Sequence, residues 1–409
     1  MPHRGSLTIR RASLVDPDAE NVRENTRIRV EDGIVVEVGP DPGGPVSSAE
    51  VDAAGLYALP GLIDCHVHVI AHTVDEYALT MEPPSYVTAR AAVELRAMLG
   101  RGFTTVRDMA GADHGLVRAV AEGVLPGPRL FAGGKALSQT GGHGDLRPAG
   151  QNVHDTHYWT PGLGRVCDGV AEVRRAVRDE IRRGAAHIKL MLSGGCSSPT
   201  DRIGSLQFSE EEIGAAVEEA AAAGVYCAGH AYTSAAVERA LRLGVRTIEH
   251  GNLIDESVPA LFAEHDAFYV PTLITYTALA EDGAAHGLSP ESRAKTLEVL
   301  DGGLHALELA DRAGAPIAFG TDLLGPLRTR QSEEFRVRAQ VQTPGAILRS
   351  ATTVAARLLG QEGRLGVITP QAHADIVLTR HDPLSDITRL AEPAEEIALV
   401  IQSGTPTSR

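Results

Sequence analysis

Six side chains in this chain have types and positions suited to holding two metal ions. They are His66 and His68 in Leu59-Pro-Gly-Leu-Ile-Asp-Cys-His-Val-His, Lys189 in His-Ile-Lys-Leu-Met-Leu, and His230 in Ala-Gly-His-Ala-Tyr. The set is completed by His250 in Ile-Glu-His-Gly-Asn and Asp322 in Phe-Gly-Thr-Asp. His66 and His68 are two apart on a strand-like run, so both point to one face and can bind one ion together. Lys189 lies inside an apolar run, where burial disfavours the ammonium and exposes a neutral amine. Such an amine reacts with carbon dioxide to give a carbamate, an anionic oxygen ligand able to bridge two cations. The alternative for Lys189 is a simple ion pair with a carboxylate such as Asp322. His230 and His250 would complete the shell of a second ion. Asp322 would bind the first ion and accept a proton from the attacking water. Nitrogen and carboxylate ligands suit Zn²⁺ best, with Mn²⁺, Fe²⁺ and Co²⁺ compatible. Two divalent ions roughly 3.5–4 Å apart polarise a carbonyl oxygen and supply a hydroxide nucleophile.

Each of the six lies at or near the C-terminal end of a short apolar run. Parallel α/β barrels assemble their sites from those ends. Strand-like runs begin near Leu62, Thr104, Arg129, His187, Val225, Thr247, Phe268 and Pro316. Between them fall helical patterns over 85–101, 170–184, 209–224, 234–244 and 289–314. Ser209 with Glu212 forms a capping box, and Gly224 suits the position just past that helix. This alternation predicts an α/β fold, a (β/α)8 TIM barrel. An open doubly wound sheet is the weaker alternative, because no Gly-x-Gly-x-x-Gly follows the first strand.

The first sixty residues and the tail read differently, as alternating strands with a hairpin at Glu31-Asp-Gly. They predict a small composite β-sandwich made by both termini. The expected division is 1–60 and 361–409 for that domain and 61–360 for the barrel. A long connection from about Gly134 to Val170 is rich in Gly, Pro, His and aromatic residues, as a lid or specificity loop would be.

Composition sets the boundaries. A hydrophobic share of 43% with 22% charged residues is that of a globular protein. The net charge of -15, from 38 basic and 53 acidic residues, argues against a nucleic-acid-binding surface. The only lysines are Lys135, Lys189 and Lys295, which sharpens the question of why one sits in an apolar strand. Cys65, Cys167, Cys196 and Cys227 lack CxxC spacing and read as buried thiols. No leader-like or membrane-spanning apolar stretch is evident, so a cytoplasmic location without membrane contact is the expectation.

The pattern resembles the amidohydrolase superfamily, in the binuclear branch with a carboxylated lysine on the fourth strand. The likeness runs over essentially the whole chain. It implies His66, His68 and Asp322 on one metal, His230 and His250 on the other, and Lys189 bridging. Within that superfamily the chain is most similar to imidazolonepropionase-related peptidases, including prolidase-like enzymes and the ochratoxin-hydrolysing amidases. The residues behind this are Leu137-Ser-Gln-Thr-Gly-Gly-His-Gly-Asp, Lys189-Leu-Met-Leu-Ser-Gly-Gly, Ser198-Pro-Thr-Asp, His230-Ala-Tyr and Ile248-Glu-His-Gly-Asn-Leu-Ile-Asp. The resemblance implies that Tyr232 and His143 contact the scissile carbonyl or the substrate. It also implies dipeptide or N-acyl amino acid substrates, a small-molecule rather than macromolecular partner, and a homo-oligomer. The alternative substrates are lactones, cyclic amides and aryl amides such as ochratoxin.

A product carrying an α-carboxylate needs a cation. Arg107, Arg147 and Arg202 are candidates by position, each with an acidic neighbour that could occupy it instead. His72, His154, His157 and His187 resemble extra ligands. Of these, His187 reads as structural, and His154 and His157 as residues of the substrate loop. Glu249 is expected to point away from the ligand histidine beside it. Trp159 could line a pocket or cap the rim. A mononuclear deaminase is disfavoured, because Ala231-Tyr-Thr follows His230 where those enzymes usually place a glutamate. A non-enzymatic relative is disfavoured because all six candidate ligands are present.

Overall fold

The computed structural model describes residues 5–148, 150–151 and 160–407. Its N-terminal strands are β1 (Leu7–Asp16), β2 (Asn21–Glu31), β3 (Ile34–Pro40), β4 (Val51–Asp52) and β5 (Tyr57–Pro60). The middle of the chain supplies β6 (Leu62–Val67), β7 (Phe103–Asp108), β8 (Arg129–Ala132), β9 (Ala136–Ser138) and β10 (Gly164–Val166). It continues with β11 (Ile188–Met191), β12 (Cys227–Thr233), β13 (Thr247–Leu253) and β14 (Phe268–Val270). The tail adds β15 (Ile376–Thr379), β16 (Ile397–Gln402) and β17 (Thr405–Pro406).

Both termini build one mixed sheet in the order β17-β16-β15-β5-β1-β2-β3, with β4 beside β1. The hairpin read at Glu31-Asp-Gly is present. Glu31 pairs with Ile34, and Asp32 and Gly33 take φ of 50° and 82°, as a two-residue turn with left-handed central residues requires. Where a sandwich was expected, the hydrogen bonds among the described residues draw a single sheet. Ile9, Leu14, Ile28, Val30, Ile376, Leu378 and Ile401 lie in its core, so residues some 370 positions apart in sequence share one apolar face.

The middle of the chain forms two all-parallel sheets, β6-β7-β8 and β10-β9-β11-β12-β13-β14. Helices intervene at Pro84–Gly100, Val170–Arg182, Glu210–Ala222, Ser234–Arg242 and Pro290–Arg312, within two residues of the ranges the periodicity predicts. Ser209 and Glu212 form the expected capping box, and Gly224 has φ +74. The strand expected near Pro316 is a correction, since that segment makes one isolated bridge, Tyr269 to Ile317. Its backbone is instead shared among partners. Ala318 N donates to Tyr269 O (2.9 Å), Cys65 N to Phe319 O (2.7 Å), and Asp322 N to His66 O (2.8 Å). The segment thereby ties β14 to β6. Across the other gap Ala186 N donates to Ala132 O at 2.8 Å. The long connection is also not all loop, because β9 and β10 pair within it.

The four cysteines are buried and free. Among the described residues no helix is long and apolar enough to cross a membrane.

Candidate metal centre

The C-terminal ends of the parallel strands bring the candidate ligands together. His66 and His68 leave β6 on the same side. Both aim Nε2 at Asp322 Oδ1, at 3.3 and 3.1 Å. Ligand atoms of these three residues all lie within 4.8 Å of one another. The other ring nitrogens are occupied. His66 Nδ1 bonds Glu249 Oε2 at 2.8 Å, and His68 Nδ1 bonds the Ala110 carbonyl at 3.0 Å. Holding Nδ1 in this way fixes each ring and points Nε2 to where a cation would sit, which is how ligating histidines are usually supported. The donor set therefore fits a divalent metal.

The remaining histidines continue the cluster. Ring centroids run His68 to His66 at 5.3 Å, His66 to His250 at 5.0 Å, and His250 to His230 at 4.5 Å. His250 Nδ1 bonds Thr272 Oγ1 at 2.8 Å, and His230 Nε2 bonds the Gly194 carbonyl at 3.0 Å. Burial drives both rings well below the ordinary histidine range, so they are neutral donors.

Lys189 is 2% exposed, and burial lowers its amine to about 8. On β11 it pairs with Ala228 of β12, two residues before His230. Asp322 makes close contacts with His66, His68 and His250, and no ion pair joins it to Lys189 among the described residues. The paired-lysine alternative is thus not what the geometry shows. Burial would raise the Asp322 carboxyl, but His66 and His68 outweigh it and hold it well below the usual carboxylate range.

Two of the six have left-handed backbones, His250 at φ 76° and Asp322 at φ 54°. Such conformations cost of order 1–3 kcal/mol for residues with a side chain and are concentrated at functional sites. At His250 the effect is specific, because the turn breaks strand alternation and lets neighbours 249 and 250 both face inward. Glu249, expected to point away, is therefore a correction. It is fully buried, holding His66 and pairing with Arg107 Nη2 at 2.9 Å. Burial would raise its carboxyl, and Arg107 with His66 reverses this, keeping it well below the usual range.

Arg107 is corrected by the same contact. Its guanidinium is 0% exposed and bonds Glu249, the Cys65 carbonyl (2.6 Å), Thr247 (3.1 Å) and Tyr226 (3.3 Å). It braces the strands and is not presented to a substrate. Arg147 is held by Asp145 through bonds of 2.7 and 2.6 Å. Arg202 is exposed and has no ion pair among the described residues.

His143 and Tyr232 both join the cluster. The His143 ring lies 4.3 Å from that of His230, and Tyr232 lies 4.8 Å from His230 and 5.5 Å from His250. The Tyr232 hydroxyl contacts Cys196 Sγ at 3.4 Å and Tyr276 Oη at 3.1 Å. His187 is buried and stacked on Tyr226, with neither ring nitrogen hydrogen-bonded among the described residues. His72 packs edge-on against Tyr86. His154, His157 and Trp159 lie outside the described residues.

Thr272 and Tyr276, both missed from sequence, follow the end of β14, and strand-end position was the available signal. The pairing of Asp201, Gln207 and Lys295 around Ser198 was also missed, although Ser198-Pro-Thr-Asp stood out as a motif.

Comparison with known proteins identifies the family of the chain. Residues 57–405 match the model of the Amidohydrolase family. The ochratoxinase of Aspergillus niger is 35% identical over 408 residues, covering 95% of this chain and 84% of that protein. A solved prolidase in complex with N-methylphosphonate-L-proline is 46% identical, with a TM-score of 0.96 over 99% of this chain and 100% of that one. A solved Xaa-Pro dipeptidase with methionine bound in its active site is 30% identical, with a TM-score of 0.89 over 99% and 100%.

Proposed function

Because the chain belongs to the amidohydrolase family, as a hydrolase acting on amide bonds, we propose that it cleaves dipeptides or N-acyl amino acids and releases a C-terminal amino acid. The observation that carries the chemistry is the convergence of His66, His68 and Asp322, with His250 and His230 continuing the same cluster. The substrate class is supported by the prolidase and the Xaa-Pro dipeptidase, whose chains this one matches from end to end. In this reading the two parallel sheets are arcs of one (β/α)8 barrel, joined through segment 316–322 and through Ala186.

His66, His68 and Asp322 would hold one divalent ion, and His230 and His250 a second. Lys189 would bridge them as its carbamate, with Zn²⁺ the best fit to the donors. When bound, the ions supply Lewis acidity at the carbonyl oxygen and make water a competent nucleophile at neutral pH. Asp322 takes the proton of the attacking water and returns it to the leaving amine. Tyr232 and His143 stand on the His230 side of the cluster, where they meet the carbonyl oxygen as its charge develops. Arg202, exposed and without an ion pair among the described residues, is the remaining cation of the three for a substrate carboxylate.

A second reading is favoured by the ochratoxinase likeness over 95% of the chain, namely an aryl amide substrate cleaved by the same groups. One experiment separates the two. The zinc-reconstituted protein, with bicarbonate present, is assayed for amino-acid release from dipeptides and N-acyl amino acids and for hydrolysis products from ochratoxin-type aryl amides, cyclic amides and lactones, alongside elemental analysis. Release from Xaa-Pro or related dipeptides at about two metals per chain supports the first reading. Turnover confined to the aryl amides, cyclic amides or lactones overturns it.

A further inference from the structure

The Ser198-Pro-Thr-Asp motif forms a closed hydrogen-bonded ring with His143. His143 Nδ1 lies 2.9 Å from Ser198 Oγ, and Ser198 Oγ bonds Asp201 Oδ1. Gln207 Nε2 donates to Asp201 Oδ2 at 2.8 Å, while Gln207 Oε1 accepts from the His143 backbone N–H at 2.9 Å. The ring therefore returns to the residue where it began.

Donor counting fixes every proton in it. Gln207 Oε1 faces a backbone N–H, so the amide is oriented and its Nε2 must donate. Asp201 also receives Gly195 N (3.2 Å) and Lys295 Nζ (3.2 Å), so with Gln207 its carboxylate faces three donors other than Ser198 and acts as an acceptor. The contact between Ser198 Oγ and Asp201 Oδ1 needs a proton between the two oxygens, and the Ser198 hydroxyl is the group that supplies it. Ser198 Oγ can then only accept from His143, whose Nδ1 must carry a hydrogen. His143 Nε2 has no hydrogen-bond partner among the described residues.

The packing is built to match. Ser198 is 1% exposed, and the Asp201 side chain is 3% exposed. A Cβ at Gly195 would overlap the His143 ring, so that glycine makes room for it. Lys295 reaches in from the Pro290–Arg312 helix and also bonds the Ser198 carbonyl at 2.8 Å, closing the loop over the buried carboxylate.

We propose that Ser198 and Asp201 are positioning residues for His143, committing its Nδ1–H to Ser198 and leaving Nε2 as the ring nitrogen presented to substrate. A carboxylate that orients a histidine through Nδ1–H is a recurrent device in hydrolysis, and here a serine hydroxyl stands between the two. The proposal rests on the reading of His143 as a substrate-contacting group, whereas the tautomer itself rests on the hydrogen bonds alone.

Two measurements on the zinc-reconstituted enzyme test it. In long-range ¹H–¹⁵N spectra of histidine-labelled protein, the His143 signals are identified by their loss in His143→Gln. The expected pattern is a protonated Nδ1 and a bare Nε2, shifting toward mixed tautomers in Ser198→Ala. A protonated Nε2 in the wild type overturns the proposal. In kinetics, Ser198→Ala and Asp201→Asn each lower kcat by about a hundredfold with KM and metal content little changed, and Ser198→Thr restores most of the loss. In a His143→Gln background, Ser198→Ala has no further effect. An additional loss there would mean that the loop is merely structural. If the wild type turns over no substrate in the panel, the substrate reading fails, and the spectra still decide the tautomer.

Discussion

Glu249 Oε2 and His66 Nδ1 lie 2.8 Å apart, both fully enclosed, with Arg107 closing the other side of the carboxylate. Strand β13 thus contributes twice, one residue supporting a candidate ligand and the next being a candidate ligand itself. A carboxylate on Nδ1 raises the basicity of Nε2 and holds the ring in its ligating tautomer. Glu249→Gln keeps the shape but weakens that support. We expect roughly 10–100-fold weaker metal binding, read by competition with a chelator. Unchanged affinity would show that the contact serves only packing.

Arg107→Met should destabilise the fold and leave substrate recognition intact. Removing the guanidinium strands a buried Glu249 carboxylate, which costs about 3–5 kcal/mol, a loss that the midpoint of denaturant unfolding will register. The KM of whatever protein remains folded should match the wild type. A stable variant with a raised KM for substrates bearing an α-carboxylate would return Arg107 to the substrate site.

The six candidate ligands were legible because each is a metal-binding residue type at the end of an apolar run, and strand ends are where parallel sheets place their chemistry. Their supporting residues were not. Period-two alternation puts Glu249 and His250 on opposite faces, and only the left-handed φ of 76° at His250 brings both inward. Nothing in residue type announces that turn, since glycine, which favours it, comes one position later, at Gly251. The Pro316 segment misled for a related reason. It is apolar like a strand, but its hydrogen bonds go in turn to Tyr269 of β14, to Ser350, and to Cys65 and His66 of β6, so no ladder forms. Arg107 was misplaced because position along a strand says where a long side chain starts, not where its charged end finds a partner.

Lys189→Ala should lose most of its bound metal together with activity. The side chain is buried without an ion pair among the described residues, and its amine is lowered to about 8 by that burial, so an uncharged amine is accessible for reaction with carbon dioxide. Formate or acetate added to the variant should restore part of both, because a short carboxylate can fill the space the carbamate would occupy. Elemental analysis and turnover are measured together. Full metal content and activity in the variant would sink the bridging role.

Tyr232 and Tyr276 offer a graded test of transition-state contact. Burial, together with the neighbouring Cys196 and Tyr276, keeps the Tyr232 phenol protonated far above the usual tyrosine range, so its hydroxyl is a donor throughout the working pH. Tyr232→Phe removes that donor and should lower kcat by about a hundredfold, with metal content unchanged. Tyr276→Phe leaves Tyr232 in place and removes only its 3.1 Å partner, which is worth about 1 kcal/mol. It should therefore lower kcat by much less, and add little in the Tyr232→Phe background, since the lost bond is one that variant already lacks. Loss of metal in Tyr232→Phe would instead assign the residue to supporting His230 and His250, whose rings it adjoins.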